Sequence, residues 1–326
     1  MELLIEIGVE ELPAIPFLKE RANIAPKWRA VLEANRINSD FRFEFSPRRF
    51  VLFHEDFPKR GDDAQIVSTG APKSVALKDG AWSPAALSFA KKCGISENEL
   101  EFRQVGGKEV LYHAAVQKGR DSREILGEMI EEFLRSLNFG RAMRWGSGEF
   151  EFIRPIRSIA CVLGGQNVDF EIYGVRSAAA FFPHRKFGYE AIKFKDAADY
   201  FALLERNGVI LSEQKRKDKI LSEFAKLEKK HGFKIEVDPA LLDEVTAITE
   251  YPTALLGSFE RDFLSVPKEV IITSMKENQR YFPVFEGKNL SNHFVVVSNA
   301  ITDDDELVVR GNEKVLRARL SDAMFF

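Results

Sequence analysis

Short hairpin patterns and short helical patterns follow one another along this chain without a regular repeat. Phe41, Phe43 and Phe45 alternate with charged residues, and a turn at Ser46-Pro47 then leads into an apolar run at 50–53. Period-two alternation next to a turn predicts an antiparallel hairpin. Because strands and helices succeed each other irregularly, and not as repeated strand–helix–strand units, the pattern favours an α+β fold.

Two or more mixed domains of sheet and helix are expected in 326 residues. We predict a first region at 1–176 and a second at 177–326, with a helical insertion at about 196–232. Asp196 caps the first inserted helix, and His231-Gly232 closes the second. The insertion presents a cationic face that we interpret as solvated. Its members are Lys215, Arg216, Lys217, Lys219, Lys229 and Lys230.

Local signals elsewhere predict a hairpin and a long helix. Gly106-Gly107 lies between two strand-like runs, about 100–105 and 109–116, and suits a two-residue hairpin turn. An apolar stripe begins after Asp121 or Ser122 and ends before Asn138, as expected for one amphipathic helix.

The composition excludes several classes of protein. With 45% hydrophobic and 30% charged residues, the chain is typical of a globular protein and not of a disordered one. No run approaches the roughly 18 apolar residues of a membrane-spanning helix, so we expect no membrane partner and a cytoplasmic location. Cys93 and Cys161 make no metal or redox spacing. The net charge of -3 argues against a histone-like polyanion binder, but it does not exclude a local cationic patch.

The common catalytic motifs are missing. Gly107-Lys108 is followed by Glu109, and Gly287-Lys288 by Asn289, so neither makes a phosphate-binding loop. No dinucleotide fingerprint, serine elbow or paired-histidine spacing occurs. We therefore predict no catalytic residue, no metal ligand and no cofactor in this chain, and we interpret the acidic run 303–306 as a solvated loop.

Cationic residues mixed with aromatic ones are the more informative feature. Arg141, Arg144, Trp145, Arg154 and Arg157 fall within seventeen residues. Arginine forks suit phosphates, and an adjacent indole can stack on an unpaired base. The alternative is that these arginines pair with Glu149 and Glu151 and brace a domain seam.

Three other groups have the same two interpretations, a binding surface or a structural one. Arg48 and Arg49 lie at the corner of the predicted hairpin, and His184 and Arg185 precede a phenylalanine. Further along, Lys276, Gln279 and Tyr281 could hydrogen-bond and stack on a ligand, or shape a domain seam.

Several separated motifs in this order resemble the N-terminal half of the beta subunit of bacterial heterotetrameric glycyl-tRNA synthetase. They are Leu4-Ile5-Glu6-Ile7-Gly8, Glu10-Glu11-Leu12-Pro13, Ser46-Pro47-Arg48-Arg49, Met143-Arg144-Trp145-Gly146, Phe152-Ile153-Arg154-Pro155-Ile156, His184-Arg185, Glu250-Tyr251-Pro252, Met275 to Val284, and Gly311-Asn312-Glu313-Lys314-Val315. The resemblance covers nearly the whole chain, and the number of motifs makes it specific.

The resemblance implies a non-catalytic role within an alpha2beta2 assembly. In that family the alpha subunit forms glycyl-adenylate and glycyl-tRNA, using ATP and Mg²⁺, while the beta subunit mainly binds and positions tRNA(Gly). This chain alone is therefore expected to be inactive and to bind no cofactor. The alternative is a scaffold that holds the alpha subunit and scarcely touches RNA.

The resemblance also carries expectations about fold and sites. Residues 241–326 resemble the editing-type sheet domain of the phenylalanyl-tRNA synthetase beta chain, from which we carry over the fold but no activity. The family's chain continues into a helical HD-type domain, so we expect Arg317 and Arg319 at that junction, with Phe325-Phe326 packing against the continuation.

Overall fold

The computed structural model describes residues 1–302 and 306–324. Contacts divide the chain into two compact units. The larger comprises Met1–Val31, Ser39–Phe57 and Leu126–Phe326, and the smaller comprises Leu32–Asn38 and Pro58–Ile125. The sequence-based division at 176/177 stays a prediction, as does the packing of Phe325-Phe326, which lies outside the described residues together with 303–305 of the acidic run.

The secondary structure is mixed, as expected for α+β. The strands are β1 Leu3–Val9, β2 Arg42–Ser46, β3 Arg49–His54, β4 Ala64–Pro72, β5 Leu77–Lys78, β6 Ala81–Trp82, β7 Glu101–Val105, β8 Lys108–Gln117, β9 Met143–Arg144, β10 Glu151–Phe152, β11 Ile156–Leu163, β12 Gln166–Asn167, β13 Glu171–Ile172, β14 Val175–Arg176, β15 Ala180–Phe181, β16 Ile192–Lys193, β17 Lys234–Ile235, β18 Pro252–Ser258, β19 Phe282–Glu286 and β20 Asn289–Asn299. The helices are α1 Ala14–Ala34, α2 Lys73–Ala76, α3 Pro84–Cys93, α4 Ser122–Ser136, α5 Ala197–Arg206, α6 Glu213–His231, α7 Pro239–Ala247, α8 Lys268–Thr273 and α9 Leu307–Met324. Short 3-10 helices occupy Glu97–Glu99 and Arg261–Ser265, and a π-helix occupies Ser274–Gln279.

An antiparallel five-stranded sheet, in the order β12-β11-β1-β3-β2, forms one core of the larger unit. Strand β1 is buried along its whole length, because helices cover both faces. On one face Phe50 packs against Phe17 of α1. On the other, Leu4 and Phe53 share a core with Tyr200 of α5. The predicted hairpin at Ser46-Pro47 is confirmed as β2 and β3.

A second antiparallel sheet, in the order β17-β19-β20-β18, forms the other core of this unit. Phe224 of α6 and Leu241 of α7 pack on one face with Phe282. Leu316 and Leu320 of α9 pack on the opposite face. The resemblance of this region to an editing-type domain stays a prediction.

The two helices of the predicted insertion cover different sheets. Their predicted caps are confirmed, since Asp196 accepts from the Asp199 amide and Gly232 is left-handed. However, α5 packs on the first sheet and α6 on the second. The predicted exposure of Arg216 is wrong, because this side chain is 0% exposed. Its guanidinium donates to backbone carbonyl oxygens that lie next to the first turn of α6.

The smaller unit contains the three-stranded sheet β4-β8-β7, covered on one face by α3. Leu111 and Phe89 are central to its core. The predicted turn at Gly106-Gly107 joins β7 to β8, and both glycines have positive φ. Among the described residues of the whole chain, no helix is long and apolar enough to cross a membrane.

Candidate functional site

Arg49 is the centre of a buried ionic network. Its guanidinium donates to Glu6 at 3.0 Å and to Glu250 at 3.1 Å. It also donates to the carbonyl oxygen of Phe182 at 2.8 Å and to Ser46 Oγ at 3.2 Å. All three charged side chains are at most 2% exposed. Arg49 therefore joins the first sheet to the segment that leads into β18.

The protonation states of this network follow from burial and its charges. Burial alone would lower the pKa of Arg49, but the carboxylates of Glu6 and Glu250 raise it above the ordinary value. Burial and Glu6 raise the pKa of Tyr200 well above 10.0, so its hydroxyl stays protonated and donates to Glu6. Arg49 is thus a fixed cation that cannot reach an external ligand, and its structural interpretation is the one the geometry favours.

Four other arginines gather around the turn that follows β1, and we call Arg48, Arg154, Arg157 and Arg185 the arginine cluster. Arg157 and Arg185 both donate to the carboxylate of Glu10, the second at 3.1 Å. Arg185 also pairs with Glu11 at 2.9 Å, and Arg154 donates to the Glu11 carbonyl oxygen at 3.0 Å. Four motifs that lie far apart in the sequence therefore converge on one surface.

Backbone hydrogen bonds hold this turn in place from both sides. The amides of Val9 and Leu12 donate to the carbonyl oxygens of Arg48 and Pro47, each at 2.8 Å. The Glu10 amide donates to the Pro155 carbonyl oxygen at 3.0 Å. The Arg48 guanidinium donates to the Pro183 carbonyl oxygen at 3.1 Å. Arg48 also lies 3.8 Å from the buried carboxylate of Glu250, so the four guanidinium groups outnumber the three carboxylates of Glu10, Glu11 and Glu250 at a fixed, partly exposed surface.

Arg144 and Trp145 lie beside a cavity of about 800 Å³. Arg144 pairs with Glu151 at 2.7 Å, and both line this cavity. The Trp145 ring stacks on Tyr173, with centroids 6.3 Å apart and an interplanar angle of 9°. Arg154 Nη1 lies 3.9 Å from the Met143 sulfur, which connects the cavity wall to the arginine cluster.

The remaining candidate residues contact other parts of the larger unit. His184 is 2% exposed, lies 3.1 Å from Asn299 Oδ1 and accepts from the Lys186 amide, so it braces its loop. Tyr281 is 2% exposed and donates to Asn312 at 2.6 Å. The others lie around the second sheet: Lys276 pairs with Glu236 and Asp238, Gln279 is half-buried in the π-helix, Arg317 pairs with Glu260, and Arg319 is exposed on α9.

Sequence reasoning named Glu151, which pairs with Arg144, but it missed the partners of Arg49 and of the arginine cluster. Glu6, Tyr200 and Glu250 were not among the predicted residues, and neither were Glu10 and Glu11 as partners of the cluster. A usable signal was the glutamate inside the apolar run at 3–7, because a carboxylate in a buried strand needs a cation or several donors.

Comparison with known proteins shows to which family the chain belongs. The family model for the glycyl-tRNA synthetase beta subunit matches residues 3–326. This chain belongs to that family. A glycine–tRNA ligase beta subunit of Helicobacter pylori (strain HPAG1) is 42% identical over 100% of this chain and 48% of its own length. The Bacillus subtilis (strain 168) beta subunit is 39% identical over 100% of this chain and 48% of its own length. The chain therefore spans about half the length of the curated relatives it matches.

Proposed function

We propose that this chain is a non-catalytic part of a glycine–tRNA ligase, which binds and positions tRNA for the alpha subunit. The observation that carries the proposal is the arginine cluster. Four guanidinium groups from three separated segments of the chain meet there, around a turn held by backbone hydrogen bonds. Arginine forks at fixed positions are suited to successive phosphates of an RNA backbone.

The chemistry of aminoacylation is assigned to the alpha subunit under this proposal. That subunit would use ATP and Mg²⁺ to form glycyl-adenylate and then glycyl-tRNA, within an alpha2beta2 assembly in the cytoplasm. The support is the absence from the sequence of a phosphate loop and a dinucleotide fingerprint. Incubation of this chain with glycine, ATP and tRNA should give no glycyl-tRNA. Measurable turnover would contradict the assignment.

A scaffold that binds the alpha subunit with little RNA contact is the second candidate. The observation that favours it is that Glu10 and Glu11 already occupy Arg157 and Arg185. Carboxylates already paired with these guanidinium groups reduce their attraction for phosphates, and a surface of mixed charge can complement a protein partner.

The salt dependence of tRNA binding separates the two candidates. We expect the affinity of the chain for tRNA(Gly) to fall steeply as salt rises, with a slope of about -0.7 to -0.9 per phosphate contact in a plot of log affinity against log salt. Arg157→Ala and Arg185→Ala should each weaken binding and reduce the slope by roughly one contact.

Arg176→Ala is the matched control, because Arg176 is also an exposed arginine in an ion pair, with Asp169, but lies outside the cluster. Equal losses in all three variants would indicate a general charge effect. Weak tRNA binding without a steep salt slope, combined with capture of the alpha subunit, would favour the scaffold.

A further inference from the structure

The cavity beside Arg144 combines an aromatic wall with charged groups at its rim. Phe139, Phe150, Phe152 and Tyr173 line it. So do Arg135, Arg141, Arg144, Glu149 and Glu151. Its volume of about 800 Å³ lies within the range of roughly 300–1,000 Å³ that is usual for small-molecule sites.

Tyr173 forms part of the aromatic wall and has a backbone conformation that is unfavourable for a tyrosine. It lies at the tip of the β13–β14 hairpin with φ of +53°, beside Gly174 at +71°. A two-residue turn of this kind prefers Asn or Asp followed by Gly, so a tyrosine here is disfavoured. Its ring is 7% exposed and lies 5.6 Å from that of Phe150. Strained residues of this type concentrate at binding sites.

Two charged groups at the rim are free to act on a ligand. Arg141 and Glu149 are both exposed. Neither makes an ion pair or hydrogen bond with any residue in the part of the chain that the structure describes. By contrast, Arg144 pairs with Glu151 and Arg135 with Glu131. The cavity thus offers one free guanidinium, one free carboxylate and a wall of largely buried rings, of which Phe150 is the most exposed.

We propose that this cavity binds a single unstacked nucleotide that carries an amino-bearing base. Arg141 would hold the phosphate, since an arginine fork matches phosphate oxygens. The base would lie on the aromatic wall, which is how proteins hold bases that leave the stack. The Glu149 carboxylate accepts hydrogen bonds only, so it would favour the amino group of cytosine over the carbonyl oxygen of uracil at the same position.

The nucleotide could be free or part of an RNA strand. That the source is RNA rests on the proposed function, whereas the ligand class rests on the cavity alone. Short single-stranded RNA and mononucleotides therefore serve as separate probes. The intrinsic fluorescence of Trp145 reports on both, since its ring stacks on Tyr173 at the cavity wall. Of the other two tryptophans, Trp28 is fully buried and Trp82 belongs to the smaller unit, so neither lines the cavity.

The experiment titrates the whole chain with cytidine monophosphate, uridine monophosphate, inorganic phosphate and a cytosine-containing RNA trinucleotide. We expect saturable fluorescence changes with cytidine monophosphate and weaker binding of the uridine compound. Arg141→Ala should weaken cytidine monophosphate binding roughly tenfold or more, as expected for loss of a hydrogen-bonded charge. Glu149→Gln should remove most of the preference for cytosine, and Arg176→Ala should bind as the unsubstituted chain does.

The outcomes distinguish this inference from the proposed function. No saturable binding of any nucleotide, or unchanged binding in Arg141→Ala, overturns the nucleotide site even if tRNA binding depends on the arginine cluster. Binding of mononucleotides but not of the trinucleotide supports the site and assigns it to a free nucleotide. If both bind while Arg157→Ala leaves tRNA affinity unchanged, the site stands and the role of the arginine cluster fails.

Discussion

Replacement of Arg49 by methionine tests whether the buried network holds the first sheet to the segment leading into β18. Methionine has a similar length and no donors, so the substitution removes the hydrogen bonds to Glu6, Glu250, Ser46 and the Phe182 carbonyl oxygen. Removal of one partner of a buried ion pair usually costs about 3–5 kcal/mol, because a charge is left unpaired. Here Glu6, which is 1% exposed, loses its cation, and Glu250, also 1% exposed, keeps only the longer contact with Arg48 at 3.8 Å, so we expect a loss of about 4–5 kcal/mol.

Equilibrium unfolding in guanidinium chloride measures this loss. A decrease of about 4–5 kcal/mol is a large share of the roughly 5–15 kcal/mol that stabilises a typical protein. Because the chain contains two compact units and Trp82 lies in the smaller one, the transition should be followed by tryptophan fluorescence in a Trp82→Phe background, in which Trp28 and Trp145 both report on the larger unit. The midpoint should shift to lower denaturant for this probe.

A triple variant provides the control. In Arg49→Met combined with Glu6→Gln and Glu250→Gln, the orphaned charges are removed together with the cation, so much of the lost free energy should return. If Arg49→Met alone costs less than about 1 kcal/mol, or if the triple variant is no more stable than the single one, the network does not stabilise this unit in the way described.

Three further stability predictions follow from the described contacts. Arg216→Met should lower the free energy of unfolding by about 4 kcal/mol, because the carbonyl oxygens of four residues lose their donor: Phe45, Ile210, Leu211 and Thr246. Lys217→Met is the control and should lower it by under about 1 kcal/mol, because it breaks only a partly exposed pair with Asp243. Equal losses in the two variants would contradict this prediction. Burial lowers the pKa of His54 from 6.5 to about 4, so the unfolded chain takes up a proton that the folded chain excludes, and the free energy of unfolding should fall by roughly 3 kcal/mol as pH is lowered from above 6.5 to about 4. Urea titrations across that range should show less of this decline in His54→Asn. Gly257→Ala should cost about 1–3 kcal/mol, since its Cβ would lie 2.4 Å from the buried Phe294 ring, whereas Gly311→Ala on α9 meets open space and should stabilise by about 0.5–1 kcal/mol in thermal unfolding.

Local sequence patterns predicted the turns and hairpins of this chain, whereas contacts between distant residues determine which charged side chains are buried. The hairpin at Ser46-Pro47 and the turn at Gly106-Gly107 follow from neighbouring residues. The burial of Arg216 depends on the Phe45 carbonyl oxygen, 171 residues earlier in the chain. Arg216 lies four residues before Ile220 and eight before Phe224, so helical spacing places it on the buried face of α6, unlike Lys215 and Lys217. That spacing was available in the sequence, whereas the carbonyl oxygens that accept from the guanidinium were not.

The hairpin corner shows the same limit for the candidate site. Arg48 and Arg49 are adjacent in the sequence, and both were predicted as either binding or structural residues. Successive residues of a strand point to opposite faces, and Arg49 shares its face with Glu6, as the pairing of Glu6 with Val51 shows. Arg48 precedes the strand, lies beside the turn that follows β1, and has a side chain that is 15% exposed. The register of β1 against β3 was needed to separate the two roles.

The glutamates of the turn after β1 decide how the arginine cluster would meet an anion. Glu10 and Glu11 hold Arg157 and Arg185 in place, and preorganised side chains lose less conformational entropy on binding. The same carboxylates repel phosphates and compete for the donors. Since each guanidinium has five N–H groups, an arginine can keep its bond to one carboxylate and still donate to a phosphate from its outer edge. The glutamates therefore favour binding of an anion that approaches from the exposed side, and they disfavour one that must displace them. Recognition of an anion at this surface would thus depend more on its direction of approach than on the net charge of the cluster.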